Sequence, residues 1–435
     1  MRDGMEYRAL GPVVLALVLL ALAPNTLMAE DAAGASAAEP AGQVAQAGQV
    51  AQAGQDAPEA PGAPTWSPWT FDFILRLIGL DIGAGYRGWS LLPGVQTTFW
   101  LYGGGGWEGE HYYRTPAGDF LSSSSIGSEA DAAFNRWEGA WRLGVEQGLL
   151  WNPRTSTNRL EAFFFYRGRY DVNQGLDALP GAPSNTPSLA VLPDRDLSLL
   201  NTLQLGLGYD DLLTGAHRWR DGVSIESTAE WGPSWLFNTV QGDSDFIRFN
   251  GQLAWFVKLY DAEPDRRRNL FSVYAGDFIE ADYAIGLNGS RVPLYVRQTF
   301  GGRTQNPALG AQVRGVDKGA FDANLKAVNN LEVRVNLPAL PSEDIAAIVL
   351  PRAVASLVPD VIPGLIAYLD AGVYDQVGEP GISSPQNGYV ASTGGGAYVE
   401  VPGLGTLLLY VEYRLDAPNA AGDRLRLALE FGMQF

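Results

Sequence analysis

Apolar and polar residues alternate one by one through most of the chain beyond residue 65. Leu331, Val333, Val335 and Leu337 take one face of a segment, and Glu332, Arg334 and Asn336 take the other. A period of two predicts a strand whose two faces meet different surroundings. Trp141, Leu143 and Val145 alternate with Arg142, Gly144 and Glu146. Leu160, Ala162, Phe164, Tyr166 and Tyr170 alternate with Glu161, Arg167, Arg169 and Asp171. The pattern returns at Leu203–Asp210, Val223–Glu226 and Ile247–Lys258. At the end Leu425, Leu427, Leu429, Phe431, Met433 and Phe435 alternate with Arg426, Ala428, Glu430, Gly432 and Gln434.

These segments predict thirteen strands, near 73–86, 94–106, 136–150, 159–171, 197–210, 221–232, 246–259, 269–284, 326–337, 363–373, 389–401, 405–415 and 424–435. A soluble sandwich also alternates. Three features favour a transmembrane antiparallel β-barrel instead. The strands are about ten residues or longer, enough to cross a bilayer at a tilt. Trp66, Trp69, Trp107, Trp137, Trp151 and Trp231 sit near strand ends, where a membrane girdle belongs. The first residues also read as a secretion signal. Bacterial barrels normally hold an even number of strands, so the expected count is about 14–16, with Glu108–Arg114 the best candidate for a missed one. Long polar loops at 115–135, 172–196, 285–325 and 374–388 are expected outside the cell, the last but one folded into the lumen. The connection 338–362 is expected on the periplasmic side, with a short helix N-capped around Ser342-Glu343-Asp344.

The N-terminal residues divide by composition. Residues 1–29 have a basic start at Arg2 and Arg8, an apolar core from Val13 to Ala23 and an exit at Leu27-Met28-Ala29, the pattern of a signal peptide. Residues 30–64 repeat Ala, Gly and Gln and end rich in Pro, with nothing large to bury, and read as a disordered periplasmic tether. Residues 65–435 form the barrel. The chain has no cysteine, so neither a disulfide nor a lipid-modified cysteine is available. A net charge of −18 disfavours nucleic acid as a partner. His111 and His217 lie far apart, and no nucleophile elbow or metal-binding cluster is present, so neither an enzyme, a cofactor nor a metal is expected. A lipase with a Ser-His pair on the barrel exterior stays open as a minor alternative.

Val313-Arg314-Gly315 lies in a long loop rich in Gly, Asn and Gln, directly before the strand Asn330-Leu331-Glu332-Val333-Arg334. Tyr368-Leu369-Asp370-Ala371-Gly372 follows, then Val401-Pro402-Gly403-Leu404-Gly405, and the chain closes on Phe435. In this order, across about the last third of the chain, these segments resemble the BamA-type superfamily of outer-membrane assembly and translocation barrels, or bacterial surface antigens. The resemblance implies that the loop tip enters the lumen and that Arg314 pairs with Glu332 and Asp370. It also implies that Leu427, Leu429, Phe431, Met433 and Phe435 form the signal read by barrel assembly machinery through strand addition. Two departures stand out. The family usually carries polypeptide-transport-associated (POTRA) domains, for which residues 30–64 leave no room, and Val316 stands where it has an aromatic residue. Parity places Glu332 opposite Leu331 and Val333, whereas Asp370 shares its face with Ile366 and Tyr368. A merely solvated Arg314 is the competing reading.

The function that the resemblance implies is insertion or translocation of protein, or lipid, at the bacterial outer membrane. The expected partners are outer-membrane lipid, the assembly machinery during biogenesis, and other outer-membrane proteins or a separate periplasmic chain. A passive channel for small solutes and a structural surface protein are the alternatives.

Overall fold

The computed structural model describes residues 68–76, 79–112, 132–175, 197–214, 219–238, 244–262, 271–306, 308–316, 319, 321–340, 361–376, 387–401, 405–416 and 424–431. The expected signal peptide, tether and Ser342-Glu343-Asp344 helix lie outside these residues, as do Met433, Phe435 and the side chain of Phe431.

Period-two segments become strands of one antiparallel sheet, each pairing with the next in sequence. In chain order they are β1 (Trp69–Arg76), β2 (Gly79–Tyr86), β3 (Thr97–Tyr112), β4 (Ala132–Asn152), β5 (Thr157–Gly175), β6 (Leu197–Asp210) and β7 (Leu213–Thr214). Then come β8 (Arg220–Gly232), β9 (Phe246–Asp261), β10 (Ser272–Gly286), β11 (Leu325–Asn336) and β12 (Ile362–Asp375). The last three are β13 (Asn387–Val401), β14 (Gly405–Arg414) and β15 (Leu425–Phe431). The two-residue β7 pairs only with β8, off the main path, so fourteen strands make up the wall among the described residues.

The expected strand at 73–86 is corrected: it is the hairpin β1–β2, closed by two residues between Arg76 and Gly79. Phe73–Leu80 holds Arg76 and Gly79 but no Pro or Asn-Gly, so the break between the two strands is only weakly marked in the sequence. Glu108–Arg114 is not a separate strand either; β3 simply continues to Tyr112. β4 and β5 also overrun the expected limits, at 21 and 19 residues.

The wall curls round the long connection between β10 and β11. Side chains of that connection meet Glu146 on β4, Glu161 on β5, Glu226 on β8, Arg248 on β9, Glu332 on β11 and Asp370 on β12, and its Gln312 carbonyl accepts from Asn330 on β11. Its backbone meets Gln204 on β6 and Asp282 on β10, and Val390 of β13 packs with its Val313. One loop can touch so many consecutive strands only if the sheet is a barrel. Among the described residues no ladder joins β1 to β15.

The distribution of side chains is the reverse of a protein folded in water. Leu101, Leu143, Leu205, Leu331 and Leu427 stand on the outside, between 40% and 73% exposed. Arg167, Gln204, Glu230, Arg248, Lys326, Glu332 and Asp370 are buried inside. The inner face is not uniformly polar, because Ile366, Tyr368, Tyr398, Leu408 and Tyr410 cluster on it. No helix among the described residues is long and apolar enough to cross a membrane.

Candidate functional site

The β10–β11 connection is pinned where it leaves the wall. Its first helix, α1 (Leu294–Arg297), follows Pro293, whose missing N–H costs nothing at a helix start. Arg297 pairs with Asp322 on the returning limb. The Lys326 ammonium donates to Asp282 at 2.8 Å and to the carbonyls of Val296 and Ala323 at 3.1 and 3.0 Å. These contacts tie both limbs of the loop to β10 and β11. Arg248, paired with Glu230, donates to the Thr299 hydroxyl at 3.3 Å.

The tip is built by α2 (Leu309–Gln312) and the residues after it. The Val313 N–H closes onto the Leu309 carbonyl at 3.1 Å, and the Val316 N–H onto Val313 at 3.1 Å. Gly315 sits at φ +82°, a left-handed conformation that favours glycine. Val313 and Val316 are buried with Phe300, Leu309, Val328 and Val390. Val316 is thus buried in a cluster that mixes aliphatic side chains with the Phe300 ring. Asn330 of β11 donates to the Gln312 carbonyl at 2.7 Å and holds the tip against the wall.

Between Val313 and Gly315, Arg314 turns into the wall and is only 2% exposed. Its Nε and Nη2 donate to the two oxygens of Asp370, both at 2.7 Å, and its backbone N–H donates to Asp370 at 3.1 Å. Its Nη1 lies 2.8 Å from Glu332, which also accepts from Arg334 at 2.7 Å. The guanidinium lies 3.6 Å from the centre of the Tyr368 ring. Burial pulls the guanidinium pKa down, and the charges of Asp370 and Glu332 outweigh it, so Arg314 is held above its ordinary value.

Arg314, Glu332 and Asp370 thus meet at one point, flanked by Val313 and Gly315. Leu427 and Leu429 are elsewhere, on the outer face of β15.

A second cluster was not foreseen from the sequence. Arg303 pairs with Glu161, lies 3.3 Å from Glu146 and 3.4 Å from Glu226, and packs 4.4 Å from the centre of the Phe163 ring. Its N–H donates to Glu226 at 2.5 Å, and its carbonyl accepts from Arg142 at 2.8 Å and from Arg167. The Gly302 carbonyl accepts from Arg167 at 2.9 Å and from Gln204 at 2.7 Å. Desolvation lowers the Arg303 pKa, but Glu161, Glu146 and Glu226 together raise it above its ordinary value. The only prior signal was the parity that turns these glutamates inward; nothing in the sequence assigns them to Arg303.

No family model matches the chain, and no curated protein does. Among solved structures it is similar to the crystal structure of BamA from Haemophilus ducreyi lacking POTRA domains 1–3, at 15% identity and TM-score 0.39, over 84% of this chain and 70% of that one. It is similar to CdiB from Acinetobacter baumannii at 10% identity and TM-score 0.43, over 82% of this chain and 50% of that one. For CdiB from Escherichia coli the identity is 13% and the TM-score 0.43, over 85% of this chain and 63% of that one.

Proposed function

We propose that this chain is a BamA-type barrel of the bacterial outer membrane that helps to insert or translocate protein, or lipid, there. The observation that carries the reading is the Val313-Arg314-Gly315 tip seated inside the wall, with Arg314 shared between Glu332 and Asp370. The inside-out distribution of side chains supports a membrane location, since an apolar outer face and a hydrogen-bonded wall are what lipid tolerates. The loop inside the lumen counts against a freely open solute channel.

The place of action would be the seam between the first and last strands. β1 and β15 have 8 and 7 residues and share no ladder among the described residues. An unpaired strand edge in lipid is costly, and an incoming strand could satisfy it by pairing. The barrel assembly machinery would read the alternating end of β15 when the protein itself is made. Other outer-membrane proteins or a separate periplasmic chain would be its working partners.

Depletion in the native host, followed by quantitative proteomics of the outer membrane, tests the reading. A joint fall of many other barrels is the expected result. Loss of this protein alone overturns it and leaves a barrel fold serving a channel or surface role.

A further inference from the structure

We propose that Arg303 is a second latch for the lumen loop, independent of Arg314, and that the loop leaves the lumen only when both are released. The inference stands on the barrel's interior and does not depend on what the barrel handles.

The loop emerges between β10 and β11, and its two halves reach opposite ways round the wall. The front half ends at Gly302-Arg303, bound to β4, β5, β6 and β8. The back half ends at Arg314, bound to β11 and β12. The two anchors share no partner. Arg303 uses Glu146, Glu161, Glu226, Arg142 and Arg167, whereas Arg314 uses Glu332, Asp370 and Tyr368.

Charge and backbone geometry both mark the front anchor as a built site. With Arg303 seated, one guanidinium faces the carboxylates of Glu146, Glu161 and Glu226. Without it, these three acids lose the cation they share, and Arg142 and Arg167 lose the loop carbonyls to which they donate. Gly302 sits at φ +97°, and a Cβ there would come within 2.3 Å of the Gln252 amide. The backbone is thereby shaped to present two adjacent carbonyls to Arg142, Arg167 and Gln204. Releasing Arg314 alone therefore frees the tip while residues 301–303 stay seated, and the loop still crosses the lumen.

The chain has no cysteine, so single reporter cysteines can be placed without background. Nitroxide labels at Thr304→Cys and Gln312→Cys, in the full chain folded in lipid vesicles, read the two halves separately. Arg303→Ala should mobilise the label at 304 and leave 312 held; Arg314→Ala should do the reverse. In planar bilayers ion conductance should rise several-fold over wild type only in the Arg303→Ala/Arg314→Ala double variant. Arg303→Lys, which keeps the charge, should hold the label at 304 partly immobile. The proposal is overturned if both labels loosen together in either single variant, or if Arg303→Ala leaves 304 held. It is equally overturned if the double variant conducts no more than Arg314→Ala. Should the double variant not fold, the two labels in the single variants decide.

Discussion

Arg314 holds Asp370 by two parallel bonds while a third nitrogen meets Glu332 on the neighbouring strand, a planar fork that a lysine's compact ammonium cannot reproduce. Arg314→Lys should therefore behave as a loss. The tip should become accessible to protease although the charge is kept, and an unchanged digestion pattern would count against the bidentate contact. Asp370 takes three donors from Arg314, whereas Glu332 divides itself between Arg314 and Arg334. Asp370→Asn leaves a buried guanidinium without its main partner, so it should destabilise the folded barrel by about 3 kcal/mol. Glu332→Gln should free the tip less, and urea titration in vesicles with digestion of the loop separates the two. Glu332 was legible in the sequence because parity with Leu331 and Val333 fixed its side. Asp370 was ambiguous because Ile366 and Tyr368 share its face, and apolar residues in such a strand normally point outward. They point inward here because Tyr368 supplies the ring under Arg314. Arg303 was not legible, since its partners come from segments 77 to 161 residues away.

β12 to β14 show why strands that look alike by periodicity differ in packing. The Tyr368 ring lies over Gly394 of β13, and the Tyr398 ring over Gly364 of β12, so close that a Cβ would fall within 2.6 Å and 2.2 Å of ring or hydroxyl atoms. Gly394→Val should displace Tyr368 and also press on the Val411 carbonyl of β14, 2.0 Å from such a Cβ, at a cost of about 3 kcal/mol or more by overpacking. It should also loosen Arg314 without touching it, which a label near the tip would register. On the outer face, Leu331 is 40% exposed near the middle of β11. Leu331→Arg should cost about 2–4 kcal/mol for folding into vesicles, the penalty for a charge at mid-membrane. A sheet standing in water would tolerate that exposed change, so a neutral result would argue against lipid contact. Alternation predicted the two faces of β11 from Leu331 to Asn336, whereas the apolar Val328 turns inward because the loop tip covers it. It missed the β1–β2 hairpin because Phe73–Leu80 holds only Arg76 and Gly79 among apolar residues, with no Pro or Asn-Gly to mark the break.

The barrel has a strong side and a weak side. β4 and β5, with 21 and 19 residues, pair along nearly their whole length, whereas β1 and β15 are the short ends of the sheet. A disulfide engineered between β1 and β15 should abolish activity on other barrels if the seam opens, with recovery on reduction. Full activity in the stapled protein would place the work elsewhere. The sheet order followed from the sequence because antiparallel neighbours are simply consecutive strands. The contents of the lumen did not, because they depend on which distant strands the curvature brings face to face.

The loop's binding surface has one further meaning, for how the molecule is made. Its seat is assembled from β4, β5, β6 and β8 on one side and β11 and β12 on the other, so it does not exist in a half-built wall. A chain with a missing strand or a slipped register would present the glutamates of only one arc, and the loop would find half a seat. Docking of the loop thus reports that the arc from β4 to β12 has been paired in register. The same contacts that fill the lumen act as the protein's own inspection of its assembly.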